Sequence, residues 1–238
     1  MRAVLRLLVS VLLILVGTEA DAGLRGSPTV VELFTSQGCG ACPSADRLLG
    51  ELAARDDVIA LSFHVDYWDY MGWKDRFASE QATRRQRAYA RVLGVPMVYT
   101  PQMVVDGVIQ EKGTNRAAVV TAIQEAARAD RLDVDIDLMW TGHDRLSVVI
   151  PEGRFDGTAT VWFVRYDIER TTRVTAGENA GRNLRHVNVV REVFPIATWS
   201  GEAVRINLSA NELRLGEEDG SGCAIILQPE GLGPVLGA

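Results

Sequence analysis

Cys39 and Cys42 stand between two stretches of opposite character, and that placement constrains the fold more than any other feature of the chain. Upstream, Thr29 to Phe34 reads TVVELF, an apolar and β-branched run broken only by Glu32, as expected of a buried strand. Downstream, Ser44 to Ala54 carries Leu48, Leu49 and Leu52 on one side, the spacing of an amphipathic helix. The pair therefore falls where a buried strand turns into a helix. Unpaired N–H groups at a helix start favour negative charge and lower the pKa of a thiol placed there. Pro43 suits a first helical turn, where a missing N–H costs nothing.

Three chemistries compete for Cys-Gly-Ala-Cys. As a structural staple it would close a loop of two residues, with stabilisation at the low end of the roughly 0–5 kcal/mol range. As a zinc site it would need four ligands, yet there is no second CxxC, and Cys223, His64, His143 and His186 lack ligand spacing. No metal or other cofactor is assigned. Thiol–disulfide exchange suits the strand–turn–helix setting, with Cys39 as the exposed nucleophile and Cys42 as the buried resolving thiol. The competing function is a non-catalytic periplasmic binding protein whose CxxC is vestigial or weakly metal-holding.

Other candidates gather around the pair. Glu32 either lies beneath it and accepts a proton from Cys42, or reaches solvent or a Lys/Arg partner. Thr100-Pro101 precedes a short strand and an Asp106-Gly107 turn, where a cis proline facing the cysteines is expected; an ordinary edge-strand proline is the alternative. Tyr67, Trp68 and Trp73 begin at the carboxyl end of the second strand, Val58 to His64. With Thr100 they either line a substrate groove beside Cys39 or pack a long loop. His64 reads as a packed residue, and Cys223, in CAIIL, as a buried inert thiol.

A charged helix from about Glu80 to Leu93, a hairpin from Gln102 to Gln110 and a helix capped by Thr114 or Asn115 complete the order β-α-β-α-β-β-α. That order predicts a mainly parallel α/β sheet over residues 29–130, arranged as in thioredoxin. From Leu132 the chain alternates apolar and polar residues in short runs: Asp133 to Met139, Arg145 to Ile150, Ala159 to Tyr166, Thr171 to Thr175, Val187 to Phe194, Ala203 to Asn207 and Cys223 to Gln228. This predicts an all-β, sandwich-like domain over 132–230.

The segments VVELFTSQGCGACPSAD, HVDYWDYMGWKD and TPQMVVDG resemble a family of exported bacterial proteins classed as domain of unknown function 1223, with a thioredoxin-like first half. The resemblance continues through Gly177 to Arg182 and Asn188 to Arg191. More distantly, Val31 to Phe34 with the CxxC resembles thioredoxin and glutaredoxin. It implies a redox-active pair acting on a protein or small thiol or disulfide. The stretch from Gly94 to Pro101 is longer than the thioredoxin pattern and carries an added Pro96, so the groove wall there is expected to differ.

Arg2 and Arg6, the apolar run Leu7 to Val16 and the small-x-small site Ala20-Asp21-Ala22 have the pattern of a signal peptide over 1–22. The run is too short to span a bilayer, so a periplasmic or secreted protein without stable membrane insertion is expected. The net charge of −6, with both signs interspersed, offers no basic stripe and argues against nucleic acid as a partner.

Overall fold

The computed structural model describes residues 26–142, 144–215 and 220–238; the leader expected over 1–22 and His143 lie outside them. The apolar run after Pro28 forms β1 (Thr29–Thr35), buried at every position. Helix α1 (Cys42–Leu52) begins at the second cysteine, two residues before the expected start, because Ala41 already has helical angles. Next come β2 (Val58–His64), a single 3-10 turn (Asp69–Met71) and α2 (Glu80–Val92), whose first turn is capped by Ser79. The hairpin β3 (Gln102–Val105) and β4 (Ile109–Lys112) turns at Asp106 and Gly107, both at positive φ, as a tight twisted hairpin requires. Asn115 caps α3 (Arg116–Arg128).

The second half supplies β5 (Asp137–Trp140), β6 (Arg145–Ile150), β7 (Ala159–Arg173), β8 (Asn183–Trp199), β9 (Val204–Ser209) and β10 (Ser221–Pro229). Here the structure departs from an independent sandwich. A seven-stranded sheet runs β10-β7-β8-β2-β1-β3-β4, so three late strands continue the sheet of the first half, and β5-β6-β9 form a small second sheet. Nor is the large sheet mainly parallel: β1 with β2 and β2 with β8 are parallel, and its other pairs are antiparallel. The join is short. Ser62 of β2 pairs with Val189 of β8, and Asn188, at positive φ, donates its side-chain amide to the carbonyl of Ala60.

Strand alternation divides the core. Val31, Leu33, Met103 and Val105 face α1 and α3, whereas Val30, Phe34, Leu61, Phe63 and Val104 face α2 and the last residues of the chain. On the far wing, Val161 and Phe163 of β7 and Ile225 and Leu227 of β10 pack against Leu146, Val148 and Ile150 of the small sheet. That contact is the sandwich-like part of the fold.

Glu32 has the parity of Val30 and Phe34, so it points to the α2 face, away from α1. Its carboxylate accepts two hydrogen bonds from Arg85, at 2.5 and 2.8 Å, and one from the Tyr89 hydroxyl at 2.5 Å. Arg85 also donates to Gln228 of β10. Burial alone would lower the pKa of Arg85, but Glu32 and Tyr89 more than reverse that and raise it. The expectation of a proton acceptor beneath the cysteines is corrected: the Arg-partner alternative is the one realised, since sheet parity puts Glu32 on the wrong face. Arg85→Met should strand a buried carboxylate and cost about 3–5 kcal/mol in urea unfolding, and Glu32→Leu in the same chain should recover most of it. An Arg85→Met protein of wild-type stability would refute this account of the cluster.

Candidate functional site

Cys39 and Cys42 form a disulfide with Cα atoms 5.4 Å apart. The loop from Ser36 to Ala41 carries Cys39 out of β1, and Cys42 is the first residue of α1, with Pro43 next. Gly40 and Ala41 are exposed, yet Cys39 is only 1% exposed and Cys42 fully buried. The expected contrast between an accessible and a covered thiol is therefore absent.

The connection between β7 and β8 lies against this loop and bonds its main chain. Asn179, itself fully buried, donates its side-chain amide to the carbonyls of Gln37 and Cys39, both at 2.9 Å. The neighbouring Glu178 carboxylate accepts from the Gly40 N–H at 2.8 Å. A Cβ on Gly40 would lie 2.5 Å from that carboxylate oxygen and would push the Glu178 side chain aside. Arg182 holds Asn179 in turn, donating to its side-chain oxygen at 2.9 Å.

The Thr100–Pro101 peptide is cis. A Cβ built on Gly113 would meet both Ala45 of α1 and Pro101, at 2.8 and 3.2 Å, which puts Pro101 against the first turns of the helix that Cys42 opens. Trp68 donates to the Thr100 hydroxyl at 2.7 Å, and its Cβ lies 3.2 Å from the Cβ position of Gly38. Trp73 donates to the side-chain oxygen of Gln37 at 3.0 Å. Trp68 and Trp73 thus lie against the loop that carries Cys39, with Thr100 bonded to Trp68 and Pro101 near Gly113 and Ala45. Tyr67 does not: its hydroxyl donates to Gln86 of α2, and burial pushes its pKa up to about 12.

Beneath the loop lies a buried polar cluster that joins four parts of the chain. The Gln37 N–H donates to Asp75, whose carboxylate lies 2.7 Å from His64 Nδ1. The rings of His64 and His186 stand edge to face at 4.6 Å, and His186 Nδ1 is 3.6 Å from Asp46. Asp46 accepts from the Thr35 hydroxyl at 2.9 Å and lies one helical turn after Cys42 on the buried face of α1. Burial would raise the pKa of Asp75, but His64 and the N–H groups of Gln37 and Phe77 outweigh it and hold it down. Burial likewise opposes a charged His186, yet Asp46, then Asp75, raise its pKa. Among the described residues no three of these groups are arranged to hold a metal ion. Cys223, half-buried, lies apart, on β10, with its thiol pushed up to about 11 by burial.

The family model for a protein of unknown function (DUF1223) matches residues 30–228. The chain belongs to this family. A protein of Agrobacterium tumefaciens solved by X-ray crystallography is similar to it, with 32% identity and a TM-score of 0.78, over 90% of this chain and 94% of the other. HBP35 of Porphyromonas gingivalis shares the fold at 12% identity, with a TM-score of 0.58 over 89% of this chain and 74% of that one. No curated protein matches the chain. In this DUF1223 chain the sequence reading missed Asp46, Gln37, Asp75, Glu178 and Asn179. Asp46 carried a usable signal, a carboxylate on the apolar side of a helix one turn after Cys42.

An unfolded histidine titrates near about 6.5. Because the folded value of His186 is higher, its stabilisation is complete below that pH and is lost as pH rises through the folded value. The unfolding free energy should fall across that window, and His186→Phe should flatten the decline. An unchanged pH slope in the variant would assign the effect to another group.

Proposed function

We propose that this chain is an exported thiol–disulfide exchange protein on a thioredoxin-like scaffold, working through Cys39 and Cys42. The observation that carries the reading is the disulfide at the start of α1, in a loop whose Gly38 lies against Trp68. A two-residue staple stabilises little, so its burial among polar groups is better accounted for by chemistry than by cross-linking. The export part rests on the leader pattern of residues 1–22.

In the oxidising direction a substrate thiolate attacks Sγ of Cys39. The Cys39–Cys42 bond breaks, and Cys42 leaves with its electron pair. A second substrate thiolate attacks the substrate sulfur of the mixed disulfide and displaces Cys39. Two substrate thiols become one disulfide, and the two protons they release end on Cys39 and Cys42. In reverse, a Cys39 thiolate attacks a substrate disulfide and Cys42 resolves the adduct. A thiolate at Cys42 is costly where it is fully buried, so His186, beside Asp46 one helical turn from Cys42, is the proposed source of its proton. Trp68, Trp73 and Thr100 border the place where substrate meets Cys39.

Turnover of a protein disulfide with a thiol reductant tests this. Cys39→Ser should fall to background. Cys42→Ser should keep the attack but lose resolution, so adducts through Cys39 should accumulate and be visible by mass. Wild-type rates in both variants would reject the exchange reading.

A further inference from the structure

The segment that covers the pair does so with unusual economy. Gly177 to Arg182 touches the cysteine loop through one donor pair and one acceptor, and each meets main chain: the carbonyls of Gln37 and Cys39 and the N–H of Gly40. Two main-chain acceptors and one donor beside a disulfide are what an extended polypeptide, with alternating N–H and C=O groups, would satisfy. The segment is a hairpin end, closed by main-chain hydrogen bonds from Gly181 to Val174 and from Val174 to Arg182, and Gly177 rests against Trp73. Apart from Asn179, residues 177 to 182 are exposed. The hydrogen bonds from this segment to the cysteine loop are therefore few and polar, and they fall beside a cysteine only 1% exposed.

We propose that Gly177–Arg182 is a displaceable strap that holds the place of a polypeptide substrate, and that Cys39 reacts only when the strap lifts. This rests on the exchange reading, and it adds what controls access and which substrate class fits. An attacking sulfur must reach Sγ of Cys39 along the disulfide axis, and a residue 1% exposed offers no such approach. Lifting the strap costs two hydrogen bonds at Asn179 and one at Glu178. A cysteine-bearing peptide that pairs with Gln37, Cys39 and Gly40 regains them, whereas a small thiol does not. The strap thus selects polypeptide thiols and disulfides over small ones.

The test follows the rate of disulfide reduction in the full chain against dithiothreitol concentration. With a strap, the wild-type rate levels off at the lifting rate. Asn179→Ala loses two hydrogen bonds and should react about tenfold faster at low reductant. Glu178→Ala, at an exposed position, should speed reaction several-fold and guards against misfolding of the first variant. Hydrogen exchange supplies a second readout: Gly40 should lose protection in Glu178→Ala while amides in β1 and α1 keep theirs. A wild-type rate strictly proportional to dithiothreitol, with Glu178→Ala unaccelerated, would overturn the strap. Faster reduction in the variants without turnover of a protein disulfide in any form would keep the strap and reject the exchange reading. Turnover in the wild type with unaltered kinetics in the variants would do the opposite.

Discussion

Everything distinctive about the site depends on one short junction, where β8 lies down parallel to β2. A single residue pair, Ser62 with Val189, and the Asn188 amide on the Ala60 carbonyl splice the two halves into one sheet. Val187 packs against the α1 side while Val190, three residues on, joins the opposite core, as strand alternation requires. The same strand carries His186 to Asp46 and His64. Without the splice, the first half would expose the edge of β2 and keep neither its buried histidine nor its cover.

The molecule buries two polar clusters, and their contrast is instructive. On the α2 face Glu32, Arg85, Tyr89 and Gln228 form a paired network in which both carboxylate oxygens are occupied. Such a saturated network locks α2 and β10 onto β1. On the α1 face Asp46 has one oxygen without a hydrogen-bond partner among the described residues, as have both ring nitrogens of His186. Incomplete pairing costs stability. The saturated cluster joins elements, whereas the unsaturated one includes Asp46, one helical turn from the disulfide.

The parts of this arrangement legible in the sequence are those encoded within a few residues. Apolar periodicity identified β1, α1, β2, α2 and α3, and the Asp106-Gly107 pair announced its hairpin, because each signal and its consequence share one segment. Thr100-Pro101 was readable for the same reason: a proline before a short strand, a fixed distance from a hairpin. Glu32 shows where local reading stops. Its place in an apolar strand was readable, but its surroundings and partner depended on which face of β1 receives α1, and strand parity settles that only once the helix is placed. Contacts across the junction were further out of reach. Asn179 is separated by 142 residues from Gln37, and nothing in either neighbourhood specifies the pairing. The strand β7 read as two runs, Ala159 to Tyr166 and Thr171 to Thr175, and an irregularity between Arg165 and Tyr166 falls at the end of the first; β8 read as the single shorter run Val187 to Phe194.

Burial of the disulfide sets two effects against each other. A helix start favours a thiolate, which makes the reduced pair easier to form and more reactive. The strap brings a carboxylate to the Gly40 N–H, one of the amides that would stabilise that thiolate. While it stays, the negative charge of Glu178 occupies the favourable position and opposes a second one at Cys39. When it lifts, access to sulfur and stabilisation of the thiolate arrive together, so a single motion changes both the kinetics and the electrostatics of the pair. A buried pair under a polar strap can in this way react slowly with small thiols and still react with a partner that supplies main-chain hydrogen bonds of its own.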